Sequence, residues 1–330
     1  MIPHRVAIIG GSGFIGTRLC RRLQKEAISF FIVDKKESVA YPEHAILADV
    51  RSLEKLREMV SGTDVIINLA AEHRDDVKPK SLYDEVNVGG AKNVCQVARE
   101  KEINTIVFTS SVAVYGFAPV GTDESGDLRP FNDYGRTKME AELVYRNWQV
   151  EEPQRRKLVI VRPTVVFGER NRGNVYNLLK QMTSGRFVMI GKGENIKSLA
   201  YVENVAAFLK HSVTFPPGVH VCNYVDKPDF DMNRLVATVY QILGLRKPRL
   251  RIPFALGMVL AKAFDFASLL TEKSFAISSI RVKKFCSNSA FDTSVSATGF
   301  VPPVPILEGL KRTVSYEFLE HHVESLFYTE

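Results

Sequence analysis

The sequence predicts an α/β protein, a doubly wound parallel sheet with a smaller C-terminal α/β lobe. Three observations predict it: short apolar runs alternating with helical stretches, a glycine triplet directly after the first run, and a carboxylate closing the second. The runs fall at 5–9, 29–33, 44–47, 65–69, 105–109 and 158–162. Such alternation argues for parallel strands with helices on both faces, and the fixed hand of the crossovers places every strand-to-helix loop along one edge. Ligand and chemistry are expected to meet there.

The first run, "RVAII", leads into Gly10, Gly13 and Gly16. Gly10 suits the tight strand-to-helix turn, Gly13 lets backbone approach a ligand, and Gly16 lets the next helix pack on its strand. Apolar residues at helical spacing follow from Phe14 to Leu23. A helix starting there aims its first amides and its positive dipole end at one point, which favours a phosphate. The second run, "FFIVD", ends on Asp34. A carboxylate at that distance accepts bonds from both ribose hydroxyls and repels a 2′-phosphate, so NAD is favoured over NADP, while Lys35 and Lys36 keep the choice open.

The fifth run, "TIVFTSS", delivers Ser110 and Ser111 to the same edge. In "YGRTK", Tyr134 and Lys138 lie four apart and therefore share a helix face. A phenol with an ordinary pKa near 10 is a poor base, but a nearby ammonium and a positive nicotinamide ring favour the phenolate. Ser111 could share the substrate's hydroxyl proton with Tyr134, and Lys138 could bond the nicotinamide ribose. Tyr-x-x-x-Lys alone is common on helix surfaces; the glycine turn upstream gives it weight.

"GGSGFIG", "ADVRS" at 48–52, "NLAA" at 68–71, Asn87 in "EVNVGGAKNV", "SSVAVYG", "YGRTK" and "RPTVVFG" occur in one order along the chain. In that order they resemble the extended short-chain dehydrogenases/reductases, the nucleotide-sugar epimerases and dehydratases built on a Rossmann domain. The likeness continues through "KSLAYVENVA" at 197–206 and "FDTSVSATGFVPPVPILEGLKRTV" at 291–314. The resemblance implies that Gly10, Gly13, Phe14, Ile15 and Gly16 hold a pyrophosphate, Asp34 the adenosine ribose, and Asp49 and Val50 the adenine. Leu69, Ala70 and Ala71 would border the middle of NAD, with Asn87, Thr109, Lys138 and Pro163 completing its site. Ser111, Tyr134 and Lys138 would be the catalytic trio, and the Asn87 and Tyr134 helices would pair with their copies in a homodimer.

Departures from the family narrow the reaction. Its dehydratases carry an Asp-Glu pair after the equivalent of Ser111, where this chain has Val112 and Ala113. Neither moves a proton, and the glutamate of decarboxylating relatives and the Cys and His of 3,5-epimerising relatives are likewise unmatched. What remains is a 4-epimerase of the UDP-hexose or UDP-N-acetylhexosamine type, which oxidises C4, lets the keto sugar turn and returns the hydride; a nucleotide 4-keto-sugar reductase is the alternative. Glu72 and His73 in "EHRDD", with Ser111, Arg172, Asn174 and Lys197, are candidate substrate contacts, while Asp123 and Glu124 are expected to shape the loop before Tyr134. "GKGENIKSLAYVENVA" also resembles the 3β-hydroxysteroid dehydrogenase branch, a lipid-alcohol alternative. A dinucleotide-binding protein without turnover fits less well, because the whole trio is present.

The 330 residues divide on this reading into an NAD-binding part, 1–168, and a mainly substrate-binding lobe, 169–330, some of whose segments return to the first sheet. With 45% hydrophobic and 25% charged residues the composition is that of a globular protein, and the net charge of +7 is scattered except for "LRKPRLR" at 245–251. No nucleic-acid-binding motif is visible. Cys20, Cys95, Cys222 and Cys286 show neither metal-ligand nor redox spacing, so reduced thiols, no metal and a cytoplasmic location are expected. Nothing resembles a signal peptide. The apolar stretch 252–270 is interrupted by Lys262 and Asp265, so it is expected to be a helix of the lobe and not a membrane span, with a membrane-surface helix as the alternative.

Overall fold

A computed structural model describes residues 5–74, 77–185, 187–248, 250–271, 279–322 and 326–327, without the side chains of 266–271. Asp75 and Asp76 of "EHRDD" lie outside the described residues.

The first half alternates as expected: β1 (Arg5–Ile9), α1 (Phe14–Lys25), β2 (Ser29–Asp34), β3 (Ala45–Leu47), α2 (Leu53–Met59), β4 (Val65–Asn68) and α3 (Ser81–Tyr83). A π-helical stretch, Asp84–Gly89, joins α3 to α4 (Gly90–Glu100). β5 (Thr105–Thr109), α5 (Asp133–Val150), β6 (Lys157–Pro163) and β7 (Val165–Phe167) follow, then α6 (Asn174–Thr183), β8 (Met189–Ile190), β9 (Ile196–Tyr201), α7 (Val202–Ser212) and β10 (Gly218–Tyr224). The chain closes with β11 (Asp226–Asp231), α8 (Met232–Ile242), β12 (Arg251–Ile252), α9 (Phe254–Thr271), α10 (Ser279–Cys286) and α11 (Ile306–Phe318).

Seven strands form the main sheet in the order β10-β6-β5-β4-β1-β2-β3, all parallel. Alternate side chains enter opposite cores. Ala7, Ile9, Phe31, Val33, Ile66, Phe108 and Ile160 face one, with α4 and α5 packed on it. Val6, Ile8, Phe30, Ile32, Ile67, Val107 and Val161 face the other, with α1 and α7. Burial on both faces is why these strands read as continuous apolar runs. The register sets Ile9 opposite both Val33 and Asn68, and Asn68 opposite Phe108, so the strands end together and their loops share one edge.

α7 and β10 return from the second half: α7 packs on α1, and β10 pairs with β6 from Gly218↔Lys157 to Tyr224↔Pro163. A distinct core joins α6, α8, β9 and α11 through Leu179, Tyr201, Leu235, Val239 and Leu310, with Phe14 reaching into it. It is flanked by the three-stranded sheet β11-β9-β7 and the pair β12-β8.

Two glycines are required by contact. Gly10 has φ +80, and a Cβ there would lie 2.6 Å from the Ala70 amide nitrogen. At Gly16 a Cβ would lie 2.5 Å from Gly11 Cα. The first allows the turn to meet the end of β4; the second lets α1 start directly over it.

Candidate active site

The end of β5 and the start of α5 bring the expected trio together. Ser111 caps the 3₁₀ turn Val112–Tyr115, its hydroxyl accepting from the Ala113 amide at 3.1 Å. α5 begins beneath that turn: Asn132 caps it through Gly135 N at 2.9 Å, and a Cβ on Gly135 would stand 2.5 Å from Ala113 O. This close approach sets Tyr134 beside Ser111, and the two hydroxyls hydrogen-bond. One turn later, Lys138 is buried over the Phe108 ring and donates from Nζ to Thr109 O at 2.8 Å.

Burial pushes the Tyr134 phenol up from its ordinary value, the Ser111 hydrogen bond opposing. The phenol is enclosed although the residue as a whole is half-buried. Burial also lowers Lys138 to about 7, with the Glu142 carboxylate pulling upward. The sequence alone suggests that the ammonium pulls the phenol down; in this arrangement burial dominates both groups, and Nζ is directed at a carbonyl. A fixed donor and acceptor at one point, in a site poor in water, is an arrangement that moves a proton on and off an alcohol oxygen.

The loops at the strand ends carry the features that a dinucleotide site needs. Gly13 caps α1 without a side chain, and its own Cβ position is 3.4 Å from its nearest contact, Gly10 O. Helix starts leave amide donors unspent, and this one faces the turn. Asp34 accepts from the amides of Ser12 and Lys36, each at 3.0 Å, while burial raises its carboxyl and those two bonds oppose. Among the described residues, the buried Thr109 Oγ1 has no hydrogen-bond partner, as expected of a hydroxyl kept for a ligand. Ile15, Leu69, Ala70, Ala71 and Pro163 line the ends of α1, β4 and β6.

Other expected contacts have work inside the chain. Phe14 packs in the distinct core of α6, α8, β9 and α11, 5.9 Å from the Phe327 ring, leaving its backbone to a pyrophosphate. Asp49 is chelated by Arg51, which outweighs burial and holds its carboxyl low, and Val50 is buried against Gly90. Asn87 donates to Glu72 O at 3.0 Å and Thr137 Oγ1 at 2.9 Å and accepts from Glu72 N at 2.9 Å, tying the loop after β4 to α5. Both its donors are thus spent within the protein.

The substrate candidates divide. Glu72 is buried between Lys35 at 3.9 Å and Arg74 at 3.4 Å, and His73 beside it is exposed. Asn174 is exposed at the start of α6. Arg172 is paired with Glu317 at 2.6 Å and stacked on Tyr176, and Lys197 donates to Lys284 O at 2.8 Å. These two cations therefore tie the second lobe together. Burial lowers Lys197 to about 8.

A network unread in the sequence lies under the trio. Glu142, one turn past Lys138, receives Arg162 Nε at 2.8 Å, Arg162 Nη2 at 2.5 Å and Ser110 Oγ at 2.6 Å. Arg162 also donates to Tyr115 OH at 2.6 Å, and Tyr115 donates to Asn223 Oδ1 at 2.7 Å. Both charged side chains are only 2% exposed, so the pair is sealed. The available signal was an arginine closing the apolar run "LVIVRP". Glu124 shapes its loop as expected, accepting from Asn223 N at 2.8 Å and Ser294 N at 2.9 Å.

Comparison with known proteins places this geometry. Residues 6–221 match the model of the NAD dependent epimerase/dehydratase family. An Escherichia coli O157:H7 protein named N-acetyl-alpha-D-glucosaminyl-diphospho-ditrans,octacis-undecaprenol 4-epimerase is 49% identical over 318 residues, 95% of each chain. A 3beta-hydroxysteroid-dehydrogenase/decarboxylase of Arabidopsis thaliana is 26% identical, covering 82% of this chain and 65% of its own. Among solved structures, the UDP-glucose 4-epimerase of Thermotoga maritima with UDP-glucose superposes with a TM-score of 0.76 at 20% identity, over 96% of this chain and all of the other. The last of these bears on the fold alone.

Proposed function

We propose, from the premise that the chain belongs to the NAD dependent epimerase/dehydratase family, that it inverts carbon 4 of an N-acetylhexosamine joined through a diphosphate to a polyprenol. It is an NAD-dependent epimerase of the extended short-chain type. NAD, when bound, supplies the hydride acceptor and donor at C4. Tyr134 takes the proton from O4 and later restores it, Ser111 orients O4, and Lys138, one turn further along α5, would bond the nicotinamide ribose. Gly10, Gly13 and Gly16 admit the pyrophosphate, Asp34 the ribose, and Thr109 supplies a hydroxyl. Residues 1–168 form most of the cofactor part and 169–330 most of the substrate lobe. The chain works in the cytoplasm as a homodimer through α4 and α5, where Leu143 and Val150 of α5 are exposed and available to a copy.

The observation that carries the chemistry is the Ser111–Tyr134 hydroxyl pair with the buried Lys138 one turn along α5, and Val112 and Ala113 where dehydration would need an acid and a base. The carrier rests on the 49% relative. Nucleotide-sugar 4-epimerisation, read from the sequence, shares the hexose, the diphosphate and the C4 inversion; the carriers are separable by experiment. The purified protein is incubated with polyprenyl-diphospho-N-acetylglucosamine and, separately, with UDP-N-acetylglucosamine, and the released hexosamine is resolved by chromatography. The galacto epimer is expected from the polyprenyl substrate. Its appearance from the nucleotide alone would overturn the carrier, and its absence from both would overturn the sugar.

A further inference from the structure

We infer that α9 is a membrane-docking surface, which lays the substrate lobe on an anionic lipid bilayer. α9 packs inward through Gly257 and Ala261: a Cβ on Gly257 would stand 2.7 Å from the Ile190 side chain, and Ala261 is fully buried. At about 100° per residue, Ala255, Leu256, Val259 and Ala263 fall on the opposite half of the helix with Leu260 at its edge, and Lys262 shares that half. These five apolar residues are all exposed, Leu256 by 50%, Val259 by 64% and Leu260 by 45%. Among the described side chains this half of the helix is apolar apart from Lys262, and an exposed apolar face of this kind marks an interaction site. No helix among the described residues is long and apolar enough to cross a membrane.

Charge selects the occupant. Residues 245–265 carry Arg246, Lys247, Arg249, Arg251 and Lys262 against one acid, Asp265. That carboxylate accepts from Ser279 N, at 3.1 Å to one oxygen, and so is spent in starting α10. Arg246, Lys247 and Lys262 are exposed, and Leu250 between the basic residues is 64% exposed. An apolar helix face rimmed by cations matches the acyl boundary and phosphate layer of an anionic bilayer. A soluble protein partner would offer no such layer of phosphate.

The surface leads to the chemistry. α9 packs on α10, whose Lys283 and Lys284 stand over the Phe117 and Phe131 rings at 4.9 and 5.4 Å. Those rings stack on each other at 4.7 Å, both exposed, in the loop that leads into Tyr134. A chain docked through α9 would hold that loop near the lipid phosphates. The purpose of such a surface, though not its geometry, rests on the lipid-carried substrate proposed above.

The test is flotation of the full chain with vesicles of phosphatidylglycerol and phosphatidylcholine, and with phosphatidylcholine alone. The chain should float with the anionic vesicles, and the triple variant Leu256→Asp, Val259→Asp, Leu260→Asp should lose at least ~10-fold in partition, since binding scales with buried apolar area. Arg246→Glu with Lys247→Glu should lose binding to the anionic vesicles and respond little to salt thereafter. NAD binding reports that each variant is folded. Failure of the native chain to float, unchanged partition of the folded triple variant, or a change in oligomeric state as that variant's only effect would overturn the surface. Flotation needs no turnover: a chain that floats but epimerises only UDP-sugars keeps the surface and loses the polyprenol carrier, and one that epimerises the polyprenyl sugar without floating does the reverse.

Discussion

Replacing Tyr134 with phenylalanine is expected to lower kcat by roughly 10³-fold, within the range for a positioned acid-base group, while NAD binding and the thermal midpoint stay near the native values. The reason is local. The ring occupies the first turn of α5, and phenylalanine fills the same space, so Asn132, Gly135 and the 3₁₀ turn keep their contacts. Only the hydroxyl is lost, and with it the bond to Ser111 and the group that accepts the O4 proton. Turnover and NAD occupancy measured on one preparation separate the two effects, and a Tyr134→Phe enzyme with native kcat would remove Tyr134 from the chemistry.

Converting Glu142 to glutamine is expected to cost about 3–5 kcal/mol of stability, the range for breaking a buried ion pair by removing one partner. Arg162 would keep its Tyr115 bond and lose its counter-ion in a sealed position. Chemical denaturation reads this as a lower midpoint with a similar slope. The change also reaches the trio. Burial lowers Lys138 to about 7 and the Glu142 carboxylate opposes it; without that carboxylate the ammonium is lost at lower pH. The alkaline limb of the rate profile, where it reports Lys138, should therefore move toward acid. The linkage has a definite sign: between about 7 and the free lysine value near 10.4 the unfolded chain binds more protons, so this group makes stability rise with pH across that window. A native stability, or an unmoved limb in a folded variant, would show that Glu142 does not support Lys138.

Legibility in the sequence follows burial. β1, β2, β4, β5 and β6 are plain because both faces are covered, which leaves an unbroken apolar run. β10 is not, because it lies at the sheet edge and its first residues, Gly218 to Val221, are half-exposed; "GVHVCNY" therefore mixes His and Asn with valines. Ser111, Tyr134 and Lys138 are legible because a strand end and a helical i, i+4 spacing fix their positions locally. The Glu142–Arg162 pair is not, since its partners lie 20 residues apart on different elements and only packing joins them. Arg172 and Lys197 look like free cations for a diphosphate because their partners, Glu317 and the Lys284 carbonyl, come from 145 and 87 residues further along. The bond from Asn87 to Thr137, 50 residues away, is equally out of reach of local spacing.

The central claim is that C4 inverts by loss and return of the same hydride. Its most direct test is a substrate labelled with deuterium at C4, converted in ordinary water with NAD, with the product's C4 position read by mass spectrometry and NMR. Retention of the label in the galacto epimer, with no net NADH, is the predicted result. Loss of the label to solvent, which marks proton abstraction at C4, or accumulation of NADH with a keto product, which marks a dehydrogenase, would contradict it.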